Sequence, residues 1–427
     1  MANTTAKRPA TGKGSGSGTK KNSNEKESLG SRFGGLVDDC VAVFKDKKLG
    51  FDLPLLVIVV ALVVVGLVMM YSASYAYAYY HDGDSNYYIR SQLIFAVLGF
   101  ALMFLASLVP AEKLRSATML IVIISYALLV IVLFMPKINY VRRWINLGFT
   151  TFQPSEIAKF AVIIFGAKWG DYYYEFRRRN RRLHKNKFKN SILRFCWGIG
   201  IFILMLGTTC GLVVAEPHIS CTILLLLIGA TMMWMSGVDM KWFILLIGIA
   251  VAGIIFVIFS GTIGYSMTRI EVWKDPFSDI QGTGWQNVQA LYAISSGGLL
   301  GQGIGNSKQK FLYISEPQND FVFAVVCEEL GFVGATLVIL LFMIFVWRGF
   351  TISISNPDRF SKLMGIGITA QIGWQALLNV AVVTNTIPNT GISLPFFSYG
   401  GTSLVMLLLE IGVLLSISRK STFKQTM

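Results

Sequence analysis

Recurrent runs of about 20 mostly apolar residues constrain this chain more than any other feature, because each is long enough to cross the hydrocarbon core of a bilayer. Ten runs are expected, at roughly 52–72, 91–109, 117–135, 154–170, 195–214, 219–236, 241–260, 320–347, 362–384 and 398–417. Of the 427 residues, 54% are hydrophobic and only 14% charged, the balance of an integral membrane protein. The sequence therefore predicts an all-α polytopic membrane protein. It should have ten transmembrane helices and a long extracytoplasmic loop between helices seven and eight.

An even number of spans puts both termini on one side. The basic N-terminal tail, the loop at 171–194, the loop around Arg348–Lys362 and the Arg419-Lys420 end share that side, which the positive-inside rule assigns to the cytoplasm. The expected organisation is a disordered basic cytoplasmic tail over 1–50, a membrane domain over 51–418 and a cytoplasmic tail over 419–427. The membrane domain includes a basic cytoplasmic loop at 171–194 and an extracytoplasmic loop at 261–319. Residues 1–50 are too poor in large apolar side chains to offset the entropy of ordering. They contain no apolar core followed by a small-residue cleavage site, so they do not read as a secretion signal.

The net charge of +15 invites a nucleic-acid reading, but its placement argues against one. The excess lies in the tail and between Arg177 and Arg194, beside apolar spans. Membrane topology and contact with anionic lipid explain it, and no nucleic-acid partner is expected. The five cysteines (Cys40, Cys196, Cys210, Cys221, Cys327) form no CxxC pair and read as free thiols. The three histidines (His81, His184, His218) are scattered, so no metal site is expected from protein ligands alone.

Four motifs could carry chemistry. In Arg143-Trp144 and Gln153-Pro154-Ser155-Glu156, Pro154 suits a helix first turn and Glu156 suits the positive end of the helix dipole. Lys159 lies three residues on, on the same face, and can pair with Glu156. Such a pair is either a clamp between helices or part of a polar cavity open to the outer face, where Arg142 and Arg143 could meet a phosphate. The 261–319 segment, with Trp273 and Trp285, should form short interfacial helices. Its glycines Gly301, Gly303 and Gly305 suit close backbone approach rather than a dinucleotide fold, and Lys308 and Lys310 follow at once. Asp320 stands where this loop meets an apolar helix. It can cap that helix, serve as a functional carboxylate, or both. Glu328 and Glu329 read as structural. Finally, Pro388-Asn389-Thr390-Gly391 and Leu394-Pro395-Phe396-Phe397-Ser398-Tyr399-Gly400-Gly401 imply broken helix geometry beside a polar cleft. Gln375 and Asn379, four apart on the preceding helix, can hydrogen-bond across the bundle.

Taken in order, these segments resemble the SEDS family (shape, elongation, division and sporulation), whose members include FtsW, RodA and SpoVE. The likeness runs from Tyr71-Ser72-Ala73-Ser74 through Arg143-Trp144, Gln153-Pro154-Ser155-Glu156, the glycine run, Asp320-Phe321 and Glu328-Glu329-Leu330-Gly331 to Ser398-Tyr399-Gly400-Gly401. The resemblance implies a ten-helix peptidoglycan glycosyltransferase of the plasma membrane. Its substrates would be undecaprenyl-pyrophosphate-linked lipid II and the growing glycan strand, and its partner a class B penicillin-binding protein. Asp320 matches the family's essential loop aspartate. Arg143, Trp144, Gln153, Ser155, Glu156, Lys159, Lys308, Lys310 and Ser398 form the expected substrate-binding set. Arg143 with Lys308 or Lys310, or a bound divalent cation (Mg or Mn), would stabilise the leaving pyrophosphate. Ser315–Asp320 is more like FtsW and SpoVE than RodA, which favours septal synthesis. Three positions depart from the usual pattern: Glu216-Pro217-His218, where Gln-Pro-Asp is common; Asn319; and Thr402. A flippase for lipid II, a RodA-like polymerase of the lateral wall and a recruiting scaffold are the alternatives.

Overall fold

The computed structural model describes residues 50–137, 141–146, 148, 150–179, 198–259 and 266–421. The expected tail and most of the basic loop lie outside these residues. In order, the long helices are α1 (Leu53–Asp82), α2 (Tyr87–Leu108), α3 (Leu114–Leu133, after a 3-10 turn at Ala111–Lys113), α4 (Pro154–Arg179), α5 (Gly200–Ala215), α6 (Ile219–Ser236) and α7 (Met240–Phe259). Two short helices follow, α8 (Ser266–Lys274) and α9 (Trp285–Gly297), then α10 (Val322–Ile354), α11 (Arg359–Val383) and α12 (Gly401–Ser418). A two-residue antiparallel hairpin, β1 (Ile145–Asn146) with β2 (Thr151–Phe152), precedes α4.

Over the described residues, each of the ten expected runs coincides for most of its length with a helix. Seven described segments are long and apolar enough to cross a membrane: α1, α2, α3 with its 3-10 turn, α6, α10, α11 and α12. The other three differ for identifiable reasons. Helix α4 carries Glu156, Lys159 and Asp171 on a helix buried among its neighbours, whereas α5 and the apolar part of α7 are shorter. Helix α4 also continues to Arg179, so Asp171–Arg179 are helical rather than loop.

Local chemistry fixes the ends. Asp52 caps α1 by accepting from the Leu55 amide (2.9 Å) and pairs with Arg348 (2.7 Å), joining α1 to α10. Helices α2 and α12 pack along their length. Helix α4 sits centrally against α3, α6 and α11, buried from Pro154 to Ala167 except at Ile157. The largest fully buried side chains include Tyr173, Phe202, Phe321, Phe345, Phe360 and Phe397.

From Ser266 onward the long loop packs on the bundle and forms two short helices, as its aromatic content predicted. Trp273 Nε1 donates to the Asn385 carbonyl (3.1 Å), and Asn385 Nδ2 donates to the Trp273 carbonyl (3.3 Å). The glycine run inserts into a break in α10 at Gly331 (φ 67°, ψ −169°). There the Gln302 and Gly303 amides donate to the Glu328 and Glu329 carbonyls, each at 3.0 Å. The Phe332 amide returns a bond to Gly298 (2.9 Å). A Cβ on Gly301 would lie 2.2 Å from the Glu329 carbonyl oxygen, and one on Gly331 would lie 2.2 Å from the Gly301 nitrogen. Only glycine permits this approach of backbone to backbone. Below it, Glu329 accepts from Ser72 (2.7 Å) and pairs with Lys310 (2.9 Å), while Glu328 accepts from Ser307 and the Lys308 amide. Both glutamates are structural, as expected.

Candidate active site

A polar chamber of about 630 Å³ opens at the end of the bundle where α4 and α6 begin and α11 ends. The first turn of α4 supplies its floor. Lys159 Nζ lies 2.8 Å from Glu156 Oε2, with the two side chains only 3% and 8% exposed. Ser403 at the start of α12 donates to Glu156 (3.2 Å), and Lys159 donates to Gln375 Oε1 of α11 (3.2 Å). Gln375 in turn donates to the Ser393 carbonyl (3.1 Å). The pair ties α4 to α11 and α12, and it also lines the chamber.

Asp320 faces the chamber from the opposite wall, partly buried. Asn379 of α11 donates to the Asp320 carbonyl (2.8 Å) and to the Ile392 carbonyl (2.7 Å), fixing residue 320 beside the 391–393 segment. Gly391 (φ 73°) stands against the carboxylate, and a Cβ there would come 3.1 Å from Asp320 Oδ2. The capping expectation is not met: α10 begins at Val322, after Phe321, with no side-chain cap. The Asp320 carboxylate accepts no hydrogen bond among the described residues. Burial, reinforced by Glu316, pushes its pKa up to about 6, against the opposing pull of Arg269 and Arg143.

Arg143 reaches across to the turn between α5 and α6, where Nε donates to the Glu216 carbonyl (3.4 Å) and Nη2 to the Pro217 carbonyl. Glu216 is fully buried, and neither of its carboxylate oxygens has a hydrogen-bond partner among the described residues. Burial pushes its pKa up to about 8, with Arg143 pulling the other way. Burial also holds His218 well below the ordinary histidine range, and Arg143 and Lys159 add to the effect. At neutral pH this turn therefore presents a protonated acid and a neutral imidazole beside one guanidinium.

Of the expected site residues, Asp320, Arg143, Trp144, Gln153, Glu156 and Lys159 line one chamber. Four others do not. Ser155 is buried behind the lining. Ser398 Oγ accepts from the Leu394 amide (2.8 Å) and shapes the turn before α12. Lys308 is exposed elsewhere on the loop. Lys310, only 3% exposed, is committed to Glu329, Ser72 and the Gly305 carbonyl. Arg142 turns away to the Leu133 carbonyl (3.0 Å).

Two residues escaped sequence reasoning. Arg269 of α8 lines the chamber and donates to the Asn389 carbonyl (2.9 Å). Its signal was a basic residue in the loop expected on the outer side, where basic residues are disfavoured. Glu410 of α12 is completely buried, with one oxygen accepting from Gln371 (2.8 Å) and the other without a partner among the described residues. A lone acid within an apolar span was its signal.

A polytopic helical bundle with a charged chamber at one membrane end is the class these features define. The family model described as "Cell cycle protein", covering FtsW, RodA and SpoVE, matches residues 53–423. Stage V sporulation protein E of Bacillus subtilis (strain 168) is 37% identical over 381 residues, covering 88% of this chain and 99% of that protein. A probable peptidoglycan glycosyltransferase FtsW of Geobacter sp. (strain M18) is 32% identical over 375 residues, covering 87% and 97%. A chain in a solved peptidoglycan synthase complex superposes with a TM-score of 0.68 at 26% identity, covering 87% of this chain and 98% of that one. The crystal structure of the rod shape determining protein RodA of Thermus thermophilus shares the fold, with a TM-score of 0.61 at 23% identity over 87% and 98% of the two chains. This chain belongs to the FtsW/RodA/SpoVE family.

Proposed function

We propose that the chain is a peptidoglycan glycosyltransferase that polymerises lipid II at the outer face of the plasma membrane, with Asp320 as general base. The observation that carries this reading is the position of Asp320: its carboxylate faces a 630 Å³ chamber, free of hydrogen bonds from the described residues, with two arginines on the same lining. A lipid-linked sugar needs a site that is wet at its head and adjoins lipid at its tail. A chamber at the end of a helical bundle meets both needs.

In the proposed step, Asp320 takes the proton from the acceptor sugar's 4-hydroxyl. The hydroxyl oxygen forms a bond to the donor's anomeric carbon. The bond from that carbon to the pyrophosphate oxygen breaks, and the lipid pyrophosphate leaves with the electron pair. One displacement inverts an α-linked pyrophosphate into a β-glycoside. General-base assistance of this kind is worth roughly 10²–10⁴-fold. Arg143, as first expected, and Arg269, in place of Lys308 or Lys310, are suited to stabilise the developing charge on the leaving group. Trp144 and Gln153 would contact the head group, and Glu156–Lys159 would hold the floor rigid.

A divalent cation, Mg or Mn, belongs to the proposal only as a companion of the substrate's phosphates. Among the described residues no group of three or more His, Cys, Asp or Glu side chains could hold a metal, and no step is routed through one. The family model described as "Cell cycle protein" and the relatives named FtsW support a septal role, and the solved complex that coordinates polymerization with crosslinking supports a class B penicillin-binding protein as partner. Both termini would then lie in the cytoplasm, with the chamber facing the wall.

The test is to incubate purified chain with fluorescent lipid II in proteoliposomes and resolve the products on a gel. A ladder of glycan strands is expected. Movement of label across the bilayer without glycan growth would replace this reading with lipid transport.

A further inference from the structure

A second cavity, of about 530 Å³, lies at the opposite end of the bundle, where α4 and α6 finish and α11 starts. Tyr174, Arg177, Arg178, Met235, Ser236, Gly237 and Arg359 line it. The three arginines do not stand equal. Arg177 is compensated: it pairs with Asp239 (3.1 Å) and donates to the Gly237 carbonyl. Arg359 lies over the Tyr174 ring (3.9 Å to the centroid) and donates to the Ser236 carbonyl (3.2 Å), while its buried Nε has no hydrogen-bond partner among the described residues. Arg178 is exposed, and no carboxylate pairs with it among the described residues. The nearby acid Asp171 is engaged by Arg115 (3.1 Å). Among the described residues the cavity therefore holds two guanidiniums that make no salt bridge, Arg359 held by stacking and attracted at longer range by Asp171, and Arg178 exposed.

We infer that this cavity binds the phosphate headgroup of an anionic phospholipid. Two guanidiniums with available N–H groups suit phosphate oxygens, and Arg forks recognise them better than a point charge does. The setting favours a lipid over a free anion. The cavity sits at the ends of membrane helices. Beside it, Trp234 is 52% exposed and packs edge-on against Phe243, and Met240 and Ile244 are exposed too. Aromatic side chains at this level mark the membrane–water interface, and exposed apolar ones beside them offer acyl contact. The bound headgroup bridges α4, α6 and α11. At their other ends these same helices hold Glu156, Ser220 and Gln375 of the chamber, so occupancy here supports the geometry there.

The test uses the full chain in neutral phosphatidylcholine nanodiscs or detergent, with phosphatidylglycerol as probe and native mass spectrometry counting tightly bound lipid. One saturable phosphatidylglycerol is expected. Arg178→Gln should weaken it about fivefold, and Arg178→Gln with Arg359→Gln about 25-fold, since each cation near a headgroup contributes roughly 1 kcal/mol. Arg178 is exposed, so its loss leaves the fold intact. Arg359→Lys keeps the charge and should retain most of the binding. Unchanged phosphatidylglycerol binding in the double variant overturns the site. Saturation of the same site by millimolar inorganic phosphate, with loss of the lipid, overturns the lipid assignment. Neither outcome bears on Asp320 or the polymerisation assay.

Discussion

Asp320 carries two predictions of opposite sign. Its carboxyl keeps a proton up to about pH 6 in the fold, against an ordinary value of 3.8. A base must be ionised, so polymerisation should rise with pH through about 6 and level off above it, a limb that initial rates between pH 5 and 8 would reveal. Stability runs the other way. The fold favours the protonated form, so this group's contribution is complete below the ordinary aspartate range and is lost as pH rises through 6. Asp320→Asn should therefore be the more stable protein at pH 7.5, by up to about 2 kcal/mol, in a thermal melt. A variant less stable than the parent would show that the carboxylate is structural. Arg269→Ala should lower kcat/KM by about tenfold or more with little change in melting temperature, as expected for a lost contact to phosphate. The aspartate was legible because a charge at the head of an apolar span is costly. Arg269 was harder to read, because its place at the chamber depends on contacts between α8 and the 385–391 segment, far away in sequence.

At the level of elements, the break in α10 decides what Lys310 does. Sequence proximity suggested that Lys308 and Lys310 serve the carboxylate site. The folded chain instead sends the glycine run into the break at Gly331 and buries Lys310 against Glu329. A linear reading cannot see this, because the partners Ser72, Gly305 and Glu329 come from three separate segments. Removing one member of a buried pair leaves an uncompensated charge, so Lys310→Met should cost about 3–5 kcal/mol. Adding Glu329→Leu should recover much of that loss. A double-mutant cycle on thermal stability measures it, and additive losses would refute the pairing. The Glu156–Lys159 pair was legible from its i,i+3 spacing on a proline-started helix, a purely local rule. Its ties to Ser403 and Gln375 were not, since those depend on how three helices pack.

For the whole molecule, apolar runs revealed the helical class and the order of elements. They were less informative for α4, whose chamber-facing charges lower its hydropathy although it lies at the centre of the bundle. The proposed orientation puts the chamber end toward the wall and the arginine cavity toward the cytoplasm. The described cysteines Cys210, Cys221 and Cys327 are buried. Lys308→Cys should thus react with a membrane-impermeant maleimide added outside intact cells, and Arg178→Cys should not. Labelling of both from one side would contradict the orientation. The central claim, that Asp320 performs the chemistry of glycan growth, is tested most directly by the initial rate of lipid II polymerisation by purified Asp320→Asn in proteoliposomes. The predicted result is a fall of about 100-fold or more in a protein that melts no lower than the parent. Strands made at close to the parent's rate would contradict it.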